Sequence, residues 1–410
     1  MTSDSIKNKN PLGFGAFLAT LFLGAFNDNL SKMLVICYGT ERLGASSMQG
    51  SSFLSLAAAC FILPYLLFSF LAGYLADRFA KKTVMVWTKV AEIAIMLVGM
   101  ELARRQMVYP LLAVLFFMGA QSAFFSPAKY GFLPETTPTE GLSRANGYTQ
   151  LATFLAIILG GLFGGLLYSW CHGILYRGFI VCVAVAVLGT LTSFFITATR
   201  PGDSQLRFRF QDPVSPHWRA LREMSSDRLL ITVVLGATFF WFLGSLMQLV
   251  LVLLAQTTLG GGGNLTGILQ AAVALGIGLG CTLAGLLAKG RIPYHLVAPG
   301  AVGIAVANLL LATFGNHLVP AILLTSLVGF AAGFYQLPLG TAIQERSPLE
   351  KRGRYLGATN ALDCVSMTLS SALLWLLQNV FRCGPRTIIA VTACLVAVIT
   401  PFLARRLPRQ

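Results

Sequence analysis

Charge is what this chain lacks. Only 11% of its 410 residues are Asp, Glu, Lys or Arg, where a soluble domain carries about 25% to keep its surface wetted. A soluble globular protein is therefore a poor reading. Acids are scarcer than bases, 15 against 30, and histidine occurs four times, at His172, His217, His295 and His317. Those four lie far apart in sequence, so no metal site is expected. Signatures of enzymes are missing too. No histidine is followed five residues later by aspartate, and neither a G-x-S-x-G elbow nor a P-loop occurs, so a membrane-embedded acyltransferase or other enzyme is not expected. The eight cysteines contain no C-x-x-C pair. Cys171 and Cys383 fall in predicted outer loops, but unpaired membrane thiols fit better than a disulfide. No cofactor is implied.

Long apolar runs fill the space that charge vacates. Hydrophobic residues make up 56% of the chain, its mean hydropathy is +0.73, and a bilayer-spanning helix needs about 20 such residues. The runs predict an all-α membrane protein with twelve spans: 12–39, 50–76, 83–103, 109–131, 145–168, 174–197, 229–256, 264–288, 293–314, 318–342, 355–379 and 385–404. Lys7 and Lys9 precede the first run, but it is too long for a signal peptide and no A-x-A-like site follows. With the amino terminus in the cytoplasm, most basic residues fall inside: Arg78, Lys81, Lys82, the six arginines from Arg200 to Arg228, Arg346 to Arg354, and Arg405, Arg406 and Arg409. The outer loops hold Arg42, Arg104, Arg105, Arg177, Arg382 and Arg386. The positive-inside rule then places both termini in the cytoplasm. The excess positive charge faces anionic lipid headgroups, so nucleic acid need not be invoked.

The polar stretch between the sixth and seventh spans divides the chain into a bundle over 1–197, a linker over 198–228 and a second bundle over 229–410. At an offset of 210 residues Glu135 matches Glu345, Glu140 matches Glu350, Arg144 matches Arg354, Gly147 matches Gly357 and Thr149 matches Thr359. Two pseudo-symmetric six-helix bundles in parallel repeat are the layout of a rocker-type transporter, with substrate bound near the midplane.

Polar residues inside spans are the candidate site, because an ionised group in hydrocarbon must face a cavity or a partner. Asp28 and Lys32 lie four apart on one face of the first span, flanked by Asn27 and Asn29. They either neutralise each other or meet a headgroup or ion, and one asparagine would satisfy backbone at a break in the helix. Lys89 and Glu92, three apart, read as a structural pair. Gln121, Gln248, Gln336, Asn360 and Asp363 complete the set. Asp363 has no base within the next turn, so it takes a partner from another helix or a proton. Asp77 ends a helix whose own dipole disfavours an anion, so it should meet the amino terminus of the eleventh span and latch the halves. The corresponding loop has Lys289 instead, so one such latch is expected.

The segment Gly73-Tyr-Leu-Ala-Asp77-Arg78-Phe-Ala-Lys81-Lys82 resembles the signature loop of the major facilitator superfamily, with Ala80 in place of its second glycine. Ala25-Phe-Asn-Asp-Asn29, Ser126-Pro-Ala-Lys-Tyr-Gly131, Arg144-Ala-Asn-Gly147 and Gln344-Glu-Arg346 look more narrowly like the bacterial lysophospholipid transporters. The likeness extends to the transporter domain that some bacteria fuse to a lysophospholipid acyltransferase and acyl-carrier-protein synthetase. It implies movement of lysophosphatidylethanolamine-like lipids across the inner membrane to the cytoplasmic leaflet for reacylation. No such soluble domain follows Gln410 in this sequence, so acylation is expected to fall to a separate partner or to a further portion of the protein. By position, Asp28, Asn29 and Lys129 are the polar residues the resemblance marks. Gln248 stands where some relatives have arginine, so the phosphate contact implied there is either weaker or supplied by Lys32. Gly73, Asp77, Arg78, Lys81, Lys82, Arg144, Glu345, Arg346 and Arg354 are the expected gating residues. The competing expectation is a proton-coupled carrier of a small solute or drug, with Asp28 or Asp363 titrating.

Overall fold

The structure is a computed structural model and describes residues 11–44, 48–203, 205, 215–260 and 263–408. Lys7, Lys9, Arg207, Arg209 and Arg409, part of the expected charge asymmetry, lie outside them. Helices account for every regular element among the described residues. The first six are α1 (Pro11–Leu43), α2 (Met48–Arg78), α3 (Lys81–Arg104), α4 (Leu111–Thr136), α5 (Thr139–Trp170) and α6 (Leu175–Phe194). A short α7 (Ser215–Met224) is followed by α8 (Arg228–Leu253), α9 (Gly263–Leu287), α10 (Val297–Phe314), α11 (Leu318–Arg346), α12 (Arg352–Asn379) and α13 (Pro385–Arg406). Among the described residues eleven helices are long and apolar enough to cross a membrane. The other long helix, α1, has 33 residues and carries Asp28 and Lys32. In hydrocarbon each backbone N–H must bond within its own segment, which is why apolar runs of this length become helices.

Two compact units emerge, one of residues 1–136, 155–218 and 348–361, the other of 137–154, 219–347 and 362–410. In the first, α4 packs on α2, α3 and α1, and α6 on α3 and α1; in the second, α11 packs on α9, α10 and α8, and α13 on α10 and α8. The pairings correspond one to one. Close approaches repeat as well. Gly73 abuts the backbone of Gly353 and Arg354, and Gly285 abuts that of Ser143 and Arg144. Gly357 lies against Ser69, Gly147 against Cys281, Gly119 against Phe61 and Gly329 against Val273. A β-carbon at any of these would collide with a carbonyl oxygen, so small residues set the helix separation. The offset read in the sequence is thus an offset of contacts.

Asp227 caps α8, accepting from the N–H groups of Leu229 and Leu230 at 2.9 and 3.1 Å. Its other oxygen accepts from Arg346 Nε and Nη2 at 2.9 and 2.8 Å. Partial burial works against the charge, but the Leu230 N–H, the Arg346 guanidinium and the Leu229 N–H outweigh it, so the carboxyl titrates below its ordinary 3.8. A depressed value stabilises the fold above the ordinary value and loses that stabilisation as pH falls through the depressed one. Asp227→Ala should therefore cost about 1 kcal/mol at neutral pH. In paired thermal melts the gap to wild type should close below the ordinary 3.8. A gap that is constant with pH would show that the charge contributes nothing.

Candidate functional site

Within the first unit the polar residues of α1 do not pair as their spacing alone allows. Asp28, 8% exposed, accepts from Gln121 Nε2 at 3.1 Å and from Ser122 Oγ at 2.5 Å, both on α4. Lys32 donates instead to Asn29 Oδ1 at 2.9 Å, and its ammonium lies 5.0 Å from the centre of the Phe61 ring. Of the two alternatives for Asp28 and Lys32, a direct ion pair is not formed, although the two charges act on each other through space. A hydroxyl and an amide from α4 reach the carboxylate, and Lys32 is left with a neutral oxygen. The expected break is absent too: α1 is continuous, and Asn29 Nδ2 donates to the carbonyl of Ala25 at 2.8 Å.

Asn27 faces another way. Its Nδ2 donates to Glu92 Oε1 at 2.6 Å, and Lys89 closes the set on Glu92 Oε2 at 2.5 Å. The expected Lys89–Glu92 pair is present, buried at 2% and 1% exposure. Gly24 leaves the room that the Lys89 ammonium occupies. Asn27 thus belongs to this structural cluster, one residue away from Asp28 but about 100° around the helix.

Farther along α4, Ser126 accepts from Asn360 Nδ2 at 3.1 Å. Lys129 is 8% exposed with its ammonium 4.3 Å from the Tyr130 ring centre, and among the described residues no carboxylate pairs with it. Ser122 and Ser126 are absent from the sequence-based set. Their spacing to Lys129, i, i+4 and i+7, is the signal that marks one face of α4.

In the second unit Asp363 accepts from Thr238 Oγ1 at 2.8 Å, and Ser366 Oγ donates to the carbonyls of Asp363 and Thr238. Its partner does come from another helix, α8, and is a hydroxyl. Gln336 is buried with its Oε1 unbonded. Gln248 is exposed and joins none of these groups. Asn146 and Gln344 form a reciprocal amide pair, at 3.0 and 2.8 Å.

Asp77 meets the amino terminus of α12, as its position at the end of α2 predicts. Gly353 N–H donates to Oδ1 at 2.5 Å, and Arg354 N–H and Nε donate to Oδ2 at 3.0 and 3.1 Å. The N–H groups of Gly202 and Asp203 bond the Asp77 carbonyl. Beside it, fully buried Lys81 pairs with Glu135 at 3.1 Å, and Arg352 approaches the same oxygen at 3.9 Å. Arg78 donates to the Tyr74 hydroxyl at 2.9 Å. Of the other expected gating residues, Arg346 pairs with Asp227, Lys82 bonds Thr199 through its backbone, and Arg144 and Glu345 are exposed outside the cluster.

Residues 12–371 match the Major Facilitator Superfamily model. The chain is 30% identical over 368 residues to the lysophospholipid transporter LplT of Cronobacter sakazakii, covering 89% of this chain and 87% of that one. The human organic anion transporter TETRAN superposes with a TM-score of 0.76 at 17% identity, over 95% of this chain and 99% of that chain. The transporter FucP in its outward conformation gives 0.76 at 15% identity, over 98% and 100%. At such identities these two structures speak for the fold alone.

Proposed function

This chain belongs to the major facilitator superfamily and, within it, to the lysophospholipid transporter family, and from that premise we propose that it carries lysophosphatidylethanolamine-like lipids across the bacterial inner membrane. Delivery is to the cytoplasmic leaflet, by alternating access, where an acyltransferase restores the second chain. The observation that supports this most is a buried polar site with both signs of charge but no ion pair between them, unlike the paired clusters at Lys89 and Lys81. Asp28 suits a primary amine, and Lys32, bonded only to an asparagine oxygen, suits a phosphate. Phe61, whose ring faces the Lys32 ammonium, suits an acyl chain. Charges this deep are expensive to bury and are retained where a substrate passes.

Reconstitution of the purified protein tests the reading. Uptake of lysophosphatidylethanolamine is expected to saturate, while a diacyl lipid and a soluble sugar stay at the rate of empty vesicles. A rate that follows an imposed pH gradient and ignores the acyl chain would instead indicate a proton-coupled carrier of small solutes.

A further inference from the structure

We propose that the lipid phosphate is held at two successive cationic stations within the first unit, Lys32 on α1 and Lys129 on α4, on opposite sides of Asp28. This rests on the lysophospholipid reading above. The ammonium groups of Lys32, Lys81, Lys89 and Lys129 in this unit fall into two classes. Lys81 and Lys89 each sit on a carboxylate, Glu135 and Glu92. Lys32 donates to the Asn29 oxygen and faces the Phe61 ring, with Asp28 acting on it only through space because Gln121 and Ser122 engage that carboxylate; Lys129 meets the face of the Tyr130 ring. A cation taken from water with no carboxylate bonded to it is unfavourable, and an anion that arrives with the substrate removes the deficit.

The order of the stations follows from contacts. Phe17 stacks on Phe132 at 4.7 Å between ring centres, while Asp28 meets Ser122, so α1 and α4 run antiparallel. Lys32 is one turn beyond Asp28 on α1. Lys129 is seven residues beyond Ser122 on α4, toward Phe132. At about 1.5 Å per residue the two ammonium-bearing positions lie about 6 Å to one side of Asp28 and about 10 Å to the other. Between them Ser122, Ser126 and Lys129 share one face of α4 at i, i+4 and i+7. That face is held at one end by Asp28 and in the middle by the Asn360 amide. A phosphate can pass from one cation to the other along hydroxyls while the amine remains near the carboxylate. With the amino terminus cytoplasmic, Lys32 is the receiving station and Lys129 the delivering one.

The stations predict two different kinetic defects in the reconstituted full-length protein. Lys32→Gln should raise the half-saturating concentration of lysophosphatidylethanolamine about tenfold or more and leave the maximal rate near that of wild type. Lys129→Gln should lower the maximal rate by a similar factor without raising the half-saturating concentration. Lys32→Arg and Lys129→Arg, which keep the charge, should recover each parameter, and unchanged melting temperatures separate these effects from misfolding. If both Gln variants shift the same parameter, or neither shifts any, while wild type moves the lipid, the relay is wrong and the transport reading stands. A wild type that moves no lysophospholipid removes both.

Discussion

Asp28→Asn is expected to lower lysophosphatidylethanolamine uptake by about tenfold or more, the scale of a hydrogen bond to a charged group. The carboxylate accepts from two donors, Gln121 Nε2 and Ser122 Oγ. An asparagine offers one oxygen and one NH2 group, so one of those donors would face a donor. Gln121 can relieve this, because its Oε1 is buried and unbonded and a rotated amide would accept from the new NH2. The fold should survive with the network rewired, and the loss would report charge and not collapse. A lysolipid without an amine should lose less, since the phosphate stations are untouched. Wild-type uptake by a variant with a wild-type melting temperature would remove Asp28 from the path.

Asp77→Ala is expected to free the start of α12. The side chain is fully buried and supplies both oxygens to the N–H groups of Gly353 and Arg354 and to the Arg354 side chain. It sits at the negative end of α2 and the positive end of α12, and only the second placement favours an anion. Bonds to a charged acceptor contribute about 1.5–3 kcal/mol, so amide exchange at Gly353 and Arg354 should quicken by about ten- to a hundredfold. Asp77→Asn, with one oxygen left to accept, should fall between. Gly73 and Gly357 would still pack against their partners, so unchanged protection in the alanine variant would mean that packing alone holds this junction and that the carboxylate is no latch.

The spans were legible because apolar length has one solution in a bilayer. Their ends were less so. Helices α2, α4 and α11 run on through Arg78, Glu135 and Arg346, past where hydropathy falls, because polar groups at a membrane edge stay hydrogen-bonded in helical form. Helix α7 escaped because ten mixed residues, SPHWRALREM, carry no spanning signal. The Asp77 contact could be read since a helix dipole dictates which terminus welcomes a carboxylate. The fate of Lys32 could not, because helical spacing makes Asp28 available to it and says nothing of what α4 brings.

Glu135 and Glu345 show a signal present but unread. They match in the repeat, yet one is buried against Lys81 and Arg352 while the other is exposed. Carrying those two cations across the same offsets, 212 for the loop and 210 for the helix start, lands on Pro293 and Leu142. Neither can pair a carboxylate, so the ionic cluster forms once. Lys289 in the place of Asp77 repeats that asymmetry, and its backbone takes a positive φ of 44° instead of closing a cap.

Photo-crosslinking tests the location of the site most directly. A lysophosphatidylethanolamine with a photoreactive headgroup, competed by unlabelled lipid, should label residues 27–32 of α1 and 121–129 of α4. Labelling confined to the lipid-facing surface of α3 and α6, around Trp87 and Leu188, with none on α1 or α4, would contradict a headgroup path past Asp28.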